Sequence, residues 1–166
     1  INGVSVVAAD IKDKSAVIHA IDRVLMPPAG NIVDVAAANP NFTYLVAAVQ
    51  TAGLVDELSG AGPLTVFAPT NQAFIDAGFP TIASILAAPP EALIPILTYH
   101  VTSGRVFSSD LTDGQIVTML SGGTTTILLA NGAQIDGASS APSNIVQTDI
   151  IATNGVVHVI DRVLLP

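Results

Sequence analysis

One segment of this chain occurs twice. Asp10 to Pro27 and Asp149 to Pro166 align without a gap at an offset of 139 residues. Ten of the eighteen positions are identical: Asp10, Ile11, Val17, His19, Ile21, Asp22, Arg23, Val24, Leu25 and Pro27 each recur. A self-match across a domain-sized interval is the mark of tandem modules. Pro27 then closes one module and Pro166 the next. The expected organisation is the C-terminal hairpin remnant of a preceding repeat at 1–28, followed by one complete domain at 29–166, a length with room for a core.

Charge narrows the partners. The formal net charge is −8. Residues 1–28 hold three acids and three bases, so the whole excess lies in 29–166, where Arg105 and Arg162 are the only bases. Such a surface repels phosphate backbones and anionic lipid, which argues against nucleic acid as a partner. No run approaches the ~18–20 apolar residues that a membrane span needs. The chain has no cysteine, so disulfides and thiolate chemistry are excluded.

The residue pattern changes period midway. Val4–Ala9 and Val17–Leu25, rich in β-branched residues around a polar turn, predict a β-hairpin. Asn31 is placed to cap a helix through Ala38. Phe42, Leu45, Val46 and Val49 fall at helical spacing, and Leu54–Ser59 adds a further turn. Leu64–Ala68 reads as a strand, with helices over Gln72–Ala77, Ile82–Ala87 and onward from Pro90, the last kinked or tightened by Pro95. From Tyr99 the period becomes two. Strands are expected at Tyr99–Val101, Arg105–Phe107, Gln115–Met119, Thr124–Leu129, Ala133–Ile135, Ile145–Ile151 and Val156–Leu164, divided by Gly-containing turn pairs. Helices first and strands after is an α+β order.

Three segments resemble the fasciclin domain, an adhesion module of secreted proteins. LTVFAPTNQAF, Leu64 to Phe74, is similar to that family's first signature, and supplies Thr65, Phe67, Pro69, Thr70, Asn71 and Phe74. Tyr99-His100 resembles its tyrosine–histidine motif. ATNGVVHVIDRVLLP, Ala152 to Pro166, resembles its second signature, with His158, Ile160, Asp161 and Arg162. The resemblance implies a wedge of two small β-sheets with a cap of short helices, a secreted or cell-surface setting, and a protein or glycan partner. Asp149-Ile150 matches half of a Glu-Pro-Asp-Ile stretch tied to integrin binding in animal members; here Gln147-Thr148 precede it, and there is no Arg-Gly-Asp. The cysteine-free, aromatic-poor composition points to a prokaryotic member.

The chemistry-bearing residues are few. His19, His100 and His158 are the only histidines. They lack the i, i+4 pairing of a zinc site, so no metal or cofactor is implied, and His19 and His158, one position in two repeats, are expected to be hydrogen-bonded core residues. No G-x-S-x-G, G-x-G-x-x-G or P-loop occurs, which argues against an enzyme. Asp161 and Arg162, on successive strand positions, are expected to face opposite ways as buried anchors, Asp161 reaching donors near Thr70-Asn71. Tyr99, His100, Asp149 and Ile150 are the candidate partner-binding residues. Three functions follow: an adhesion or surface-interaction module, a small-ligand or hydrolytic module using a cleft near Tyr99-His100, or a spacer in a repeat array. The tail at 1–28 is expected to pack on its own module or to self-associate with a neighbouring chain.

Overall fold

The computed structural model describes residues 6–13, 16–21, 28 and 30–166. The predicted N-terminal hairpin is present as β1 (Val6–Asp13) and β2 (Ala16–Ile21), antiparallel and forming a two-stranded sheet of their own. What packs against residues 1–28 lies outside the described residues.

The helical half follows its capping signals. Asn31 accepts the Asp34 N–H and the Asp34 carboxylate accepts the Asn31 N–H, a reciprocal box that starts α1 (Ile32–Ala37). A single 3₁₀ turn over Pro40–Phe42 leads into α2 (Thr43–Thr51), which buries Leu45 and Val49 beside Phe42. Short helices α3 (Val55–Ser59), α4 (Asn71–Asp76) and α5 (Ile82–Leu86) follow, and α6 (Pro90–Thr98) takes Pro90 in its first turn.

The strands are β3 (Leu64–Pro69), β4 (Val101–Ser103), β5 (Ile116–Thr118), β6 (Thr124–Leu128), β7 (Gln134–Asp136), β8 (Ser143–Ala152) and β9 (Gly155–Ile160). They run in the spatial order β4-β3-β9-β8-β7-β6-β5. Two sheets share β8: its first residues pair with β7, and the stretch from Ile145 onward pairs with β9. Two bulges bend β8 within the stretch that pairs with β9, between Ile145 and Gln147 and between Gln147 and Ile150, with Asp149 at φ 60. The two ends of the strand order also meet, since the Leu120 N–H donates to the Val101 carbonyl and the Thr102 hydroxyl to the Thr118 carbonyl. Sheet edges that would otherwise invite pairing are thereby occupied.

Central β9, parallel to β3, is buried along its whole length. Side chains alternate across a strand, and each face has its own core. Val157 and Val159 join Val66 and Ala68 of β3 under the helices, with Phe42, Phe74 and Leu97. Ile160 and Leu164 join Phe67, Tyr99, Ile127 and Ile135 between the sheets.

Several boundaries differ from the sequence reading. Tyr99 caps α6 instead of opening a strand, because its N–H still bonds carbonyls of the helix. Residues 105–107 run as a loop tethered to neighbouring strands by hydrogen bonds. The last strand stops at Ile160 and not at Leu164, since Asp161 and Arg162 sit in a bend.

Candidate functional site

The first signature is a set of clamps. The Thr65 hydroxyl donates to the Gly104 carbonyl at 2.7 Å and accepts the Val106 N–H at 2.9 Å. Thr70 caps α4 by accepting the Ala73 N–H. Asn71 acts at a distance: its Oδ1 accepts the Tyr44 N–H and Thr43 hydroxyl, and its Nδ2 donates to the Pro40 carbonyl. Helix α2 has no capping side chain from its own preceding residue, so Asn71 fills that role. Phe67 stacks on His158 with ring centroids 5.5 Å apart, and Phe74 lies buried beneath the helices. Pro69 ends β3 opposite Ile160, beside a backbone bond from the Thr70 N–H to the Ile160 carbonyl.

Tyr99 and His100 are 0% and 2% exposed. The Tyr99 hydroxyl donates to the Thr124 carbonyl at 2.6 Å and accepts the Ala138 N–H at 3.0 Å. Gly123 leaves room for the ring: a Cβ there would stand 2.6 Å from Tyr99 Cε2. His100 Nε2 accepts the Leu164 N–H, so its Nδ1 carries the proton given to the Ile96 carbonyl. Burial pushes its pKa down to about 4, against the opposing pull of the Ile96 bond. His158 has the other tautomer. Nδ1 accepts the Asp149 N–H at 3.4 Å, and Nε2–H donates to the Val106 carbonyl at 2.8 Å. Burial lowers its pKa as well, opposed by the Val106 bond and the Asp149 charge. Both imidazoles are therefore neutral struts between backbone segments.

Ser108, Asp149 and His158 stand together, and their wiring decides what they can do. The Ser108 hydroxyl donates to Asp149, whose other carboxylate oxygen accepts the Ser108 N–H at 2.8 Å. Neither nitrogen of His158 faces the serine. A nucleophile needs a base within reach of its proton, and here the base is committed to backbone. Asp149 is half-buried in this cluster, as is Ile150 beside it. Among the described residues, no group of three His, Asp or Glu side chains converges on a common point.

Asp161 does not reach Thr70 or Asn71. It accepts from the Ser143 hydroxyl, the Asn144 N–H and Asn144 Nδ2, pinning β8 to the segment after β9. Partial burial works against its charge, but these bonds and the Arg162 charge outweigh it and hold the carboxyl below its ordinary pKa. Arg162 is exposed, a surface cation and not a buried anchor. The alternation argument failed for both because the strand ends at Ile160, the residue before Asp161.

Sequence reasoning passed over Asn154. Its Oδ1 accepts the Ile32 N–H at 2.9 Å, and its Nδ2 donates to the Leu58 and Gly60 carbonyls at 2.8 and 2.9 Å. Its own carbonyl accepts the Leu64 N–H. One turn residue thus joins α1, the end of α3, and β3. The Asn-Gly pair was legible only as a turn, since nothing local shows where a turn amide points.

Comparison with known proteins accords with this geometry. The fasciclin domain profile matches residues 40–166. Protein sll1483 of Synechocystis is 38% identical over 165 residues, covering 98% of this chain and 87% of that protein. The porcine transforming growth factor-beta-induced protein ig-h3 is 35% identical over 97% of this chain, which spans 23% of that longer protein. In structure, a FAS1 domain pair from the insect cell adhesion molecule fasciclin I superposes with a TM-score of 0.70 at 19% identity, covering 99% of this chain and 61% of that one. With both signatures in register and the profile spanning the larger part of its length, the chain belongs to the fasciclin domain family.

Proposed function

We propose that this chain is a non-enzymatic adhesion or surface-interaction module, working outside the cell and binding a protein or glycan. One observation carries the reading: all four ring nitrogens of His100 and His158 are engaged by backbone groups. The side chains best suited to proton transfer are spent on holding the fold, which leaves the surface as the working part. The likeness to a domain pair from a cell adhesion molecule supports the same direction. Tyr99 and His100 act as buried supports of the fold. The contact itself falls on the bulged half of β8, where Val146 is 58% exposed and Gln147 is exposed beside half-buried Asp149 and Ile150.

The test pairs binding with turnover. A glycan array, and adhesion of cells to surfaces coated with the chain, should show saturable binding that Val146→Arg weakens roughly tenfold, as for a central interface residue. Ile116→Arg, an exposed position on β5, should leave binding unchanged. Hydrolysis of ester, peptide and glycoside substrates should stay at background. Turnover abolished by His158→Ala would replace this reading with the hydrolytic one.

A further inference from the structure

The chain carries two hairpins of one backbone geometry. Every Cα pair of β1–β2, from Val6↔Ile21 to Asp13↔Ala16, lies 139 residues before a pair of β8–β9, from Ile145↔Ile160 to Ala152↔Gly155. Both register breaks coincide as well, at Val6/Ala8 and Ala8/Ile11 against Ile145/Gln147 and Gln147/Ile150. Yet their surroundings differ. β9 pairs in parallel with β3, whereas β1 and β2 form a sheet of their own. Register sets which side chains a strand presents and where its backbone groups fall. A hairpin of matching register is therefore a candidate for the same place beside β3, in its own chain or in a second copy.

Side chains separate the two. Of the eighteen aligned positions eight differ, and five of these are consecutive, Lys12–Ala16 against Ile151–Gly155. The other three, Ile18, Ala20 and Met26, replace Val157, Val159 and Leu165, apolar for apolar. The turn is also where the place beside β3 is most exacting. Gly155 stands opposite Leu64 at the first rung with β3. A Cβ there would overlap the Leu64 carbonyl oxygen and stand 2.8 Å from Ile32 Cδ1. Alanine, the residue of position 16, has that Cβ. Ala152 is fully buried in the core under the helices, where the aspartate of position 13 would set a charge among apolar side chains. Asn154 holds the Ile32 N–H and the Leu58 and Gly60 carbonyls at once. A serine, as at position 15, is too short to span them.

We propose that the β3 edge selects its hairpin at this turn: Ala152, Asn154 and Gly155 admit β8–β9, while Asp13, Ser15 and Ala16 bar β1–β2 of the same chain or of a second copy. The shared positions build the common hairpin, and the turn decides which hairpin docks, a discrimination by clash and unpaired groups. Exchange of the first hairpin between copies is barred by the same three residues.

The experiment is hydrogen–deuterium exchange read peptide by peptide on the 166-residue chain, with light scattering alongside. In the unchanged chain β9 should exchange slowly and β2 fast, because a two-stranded hairpin alone is marginal in water. Asp13→Ala, Ser15→Asn and Ala16→Gly together should let β2 compete for β3. Both β2 and β9 should then show a fast and a slow population, the slow fraction of β2 rising roughly tenfold. Light scattering assigns the new pairing to one chain or to two, and either result supports the proposal. Adding the converse changes, Ala152→Asp, Asn154→Ser and Gly155→Ala, should invert the pattern, leaving β2 slow and β9 fast. Ile18→Val, an aligned difference outside the turn, should leave β2 fast. Should the sixfold variant fail to fold, the triple variant, whose β8–β9 is untouched, decides. The proposal is overturned if β2 of the unchanged chain is as protected as β9, or if the triple variant keeps a single fast β2. It is equally overturned if a folded sixfold variant keeps β9 slow, or if Ile18→Val alone protects β2.

Discussion

His100 accepts the backbone N–H of Leu164 at 2.8 Å, so an imidazole after α6 holds the C-terminal segment that follows β9. That bond exists only while Nε2 is unprotonated. Burial lowers the pKa of His100 from 6.5 to about 4 and that of His158 in the same direction. The unfolded chain therefore binds more protons inside this window, and stability is full above it and lost as pH falls through it. At about 1.4 kcal/mol per pH unit, His100 alone should remove roughly 3 kcal/mol between neutral pH and pH about 4. Denaturant midpoints across that range check this. His100→Gln should be less stable at neutral pH but show a flatter slope, and an unchanged slope would place the titration elsewhere.

Ile160 is 0% exposed between the two sheets and packs with Phe67 and Tyr99. Ile160→Ala should cost roughly 2–5 kcal/mol, as large-to-small core changes do. Chemical denaturation reads it directly, and a loss under about half a kcal/mol would contradict the packing.

Asn154→Ala leaves the Ile32 N–H and two carbonyls without their partner. We expect a loss of roughly 3 kcal/mol, with faster amide hydrogen exchange at Ile32 than at Val157. Asn154→Asp keeps the acceptor but sets a carboxylate against the Leu58 and Gly60 carbonyls, so it should rescue nothing. Recovery by aspartate would mean that only the bond to Ile32 matters.

Tyr99→Phe should cost roughly 1–3 kcal/mol, because the Thr124 carbonyl and Ala138 N–H both lose their partner. Gly123→Ala should cost roughly 1–3 kcal/mol by overpacking the same ring. Both changes act on the one side chain, and a ring released from its hydroxyl bonds can shift away from the added methyl, so the double variant should lose less than their sum. Strict additivity in a double-mutant cycle would separate them.

Deleting residues 1–28 should leave a cooperative, folded module, since both cores are built from residues between Ile32 and Leu164. Thermal unfolding and light scattering before and after the deletion test this. A truncated chain that no longer unfolds cooperatively would place the hairpin inside the domain.

Much of the architecture was written in local chemistry. The Asn31 cap, the apolar spacing from Phe42 to Val49 and the Asn-Gly turn each specify a nearest-neighbour geometry, so the α+β order was legible from residues alone. The exact end of the last strand was not. VIDRVL keeps a β-like composition through Leu164, yet the ladder stops at Ile160, because pairing needs a partner strand and β3 ends at Pro69. That single shift sent Asp161 to Ser143 and Asn144 and left Arg162 in solvent. Likewise, polar residues at 99, 100 and 158 announced that they needed partners, but the partners lie on other segments. A hydrogen bond is a relation between two positions, and the sequence by itself determined only one of them; the tertiary fold supplied the other. In the same way it turned candidate reactive groups into struts.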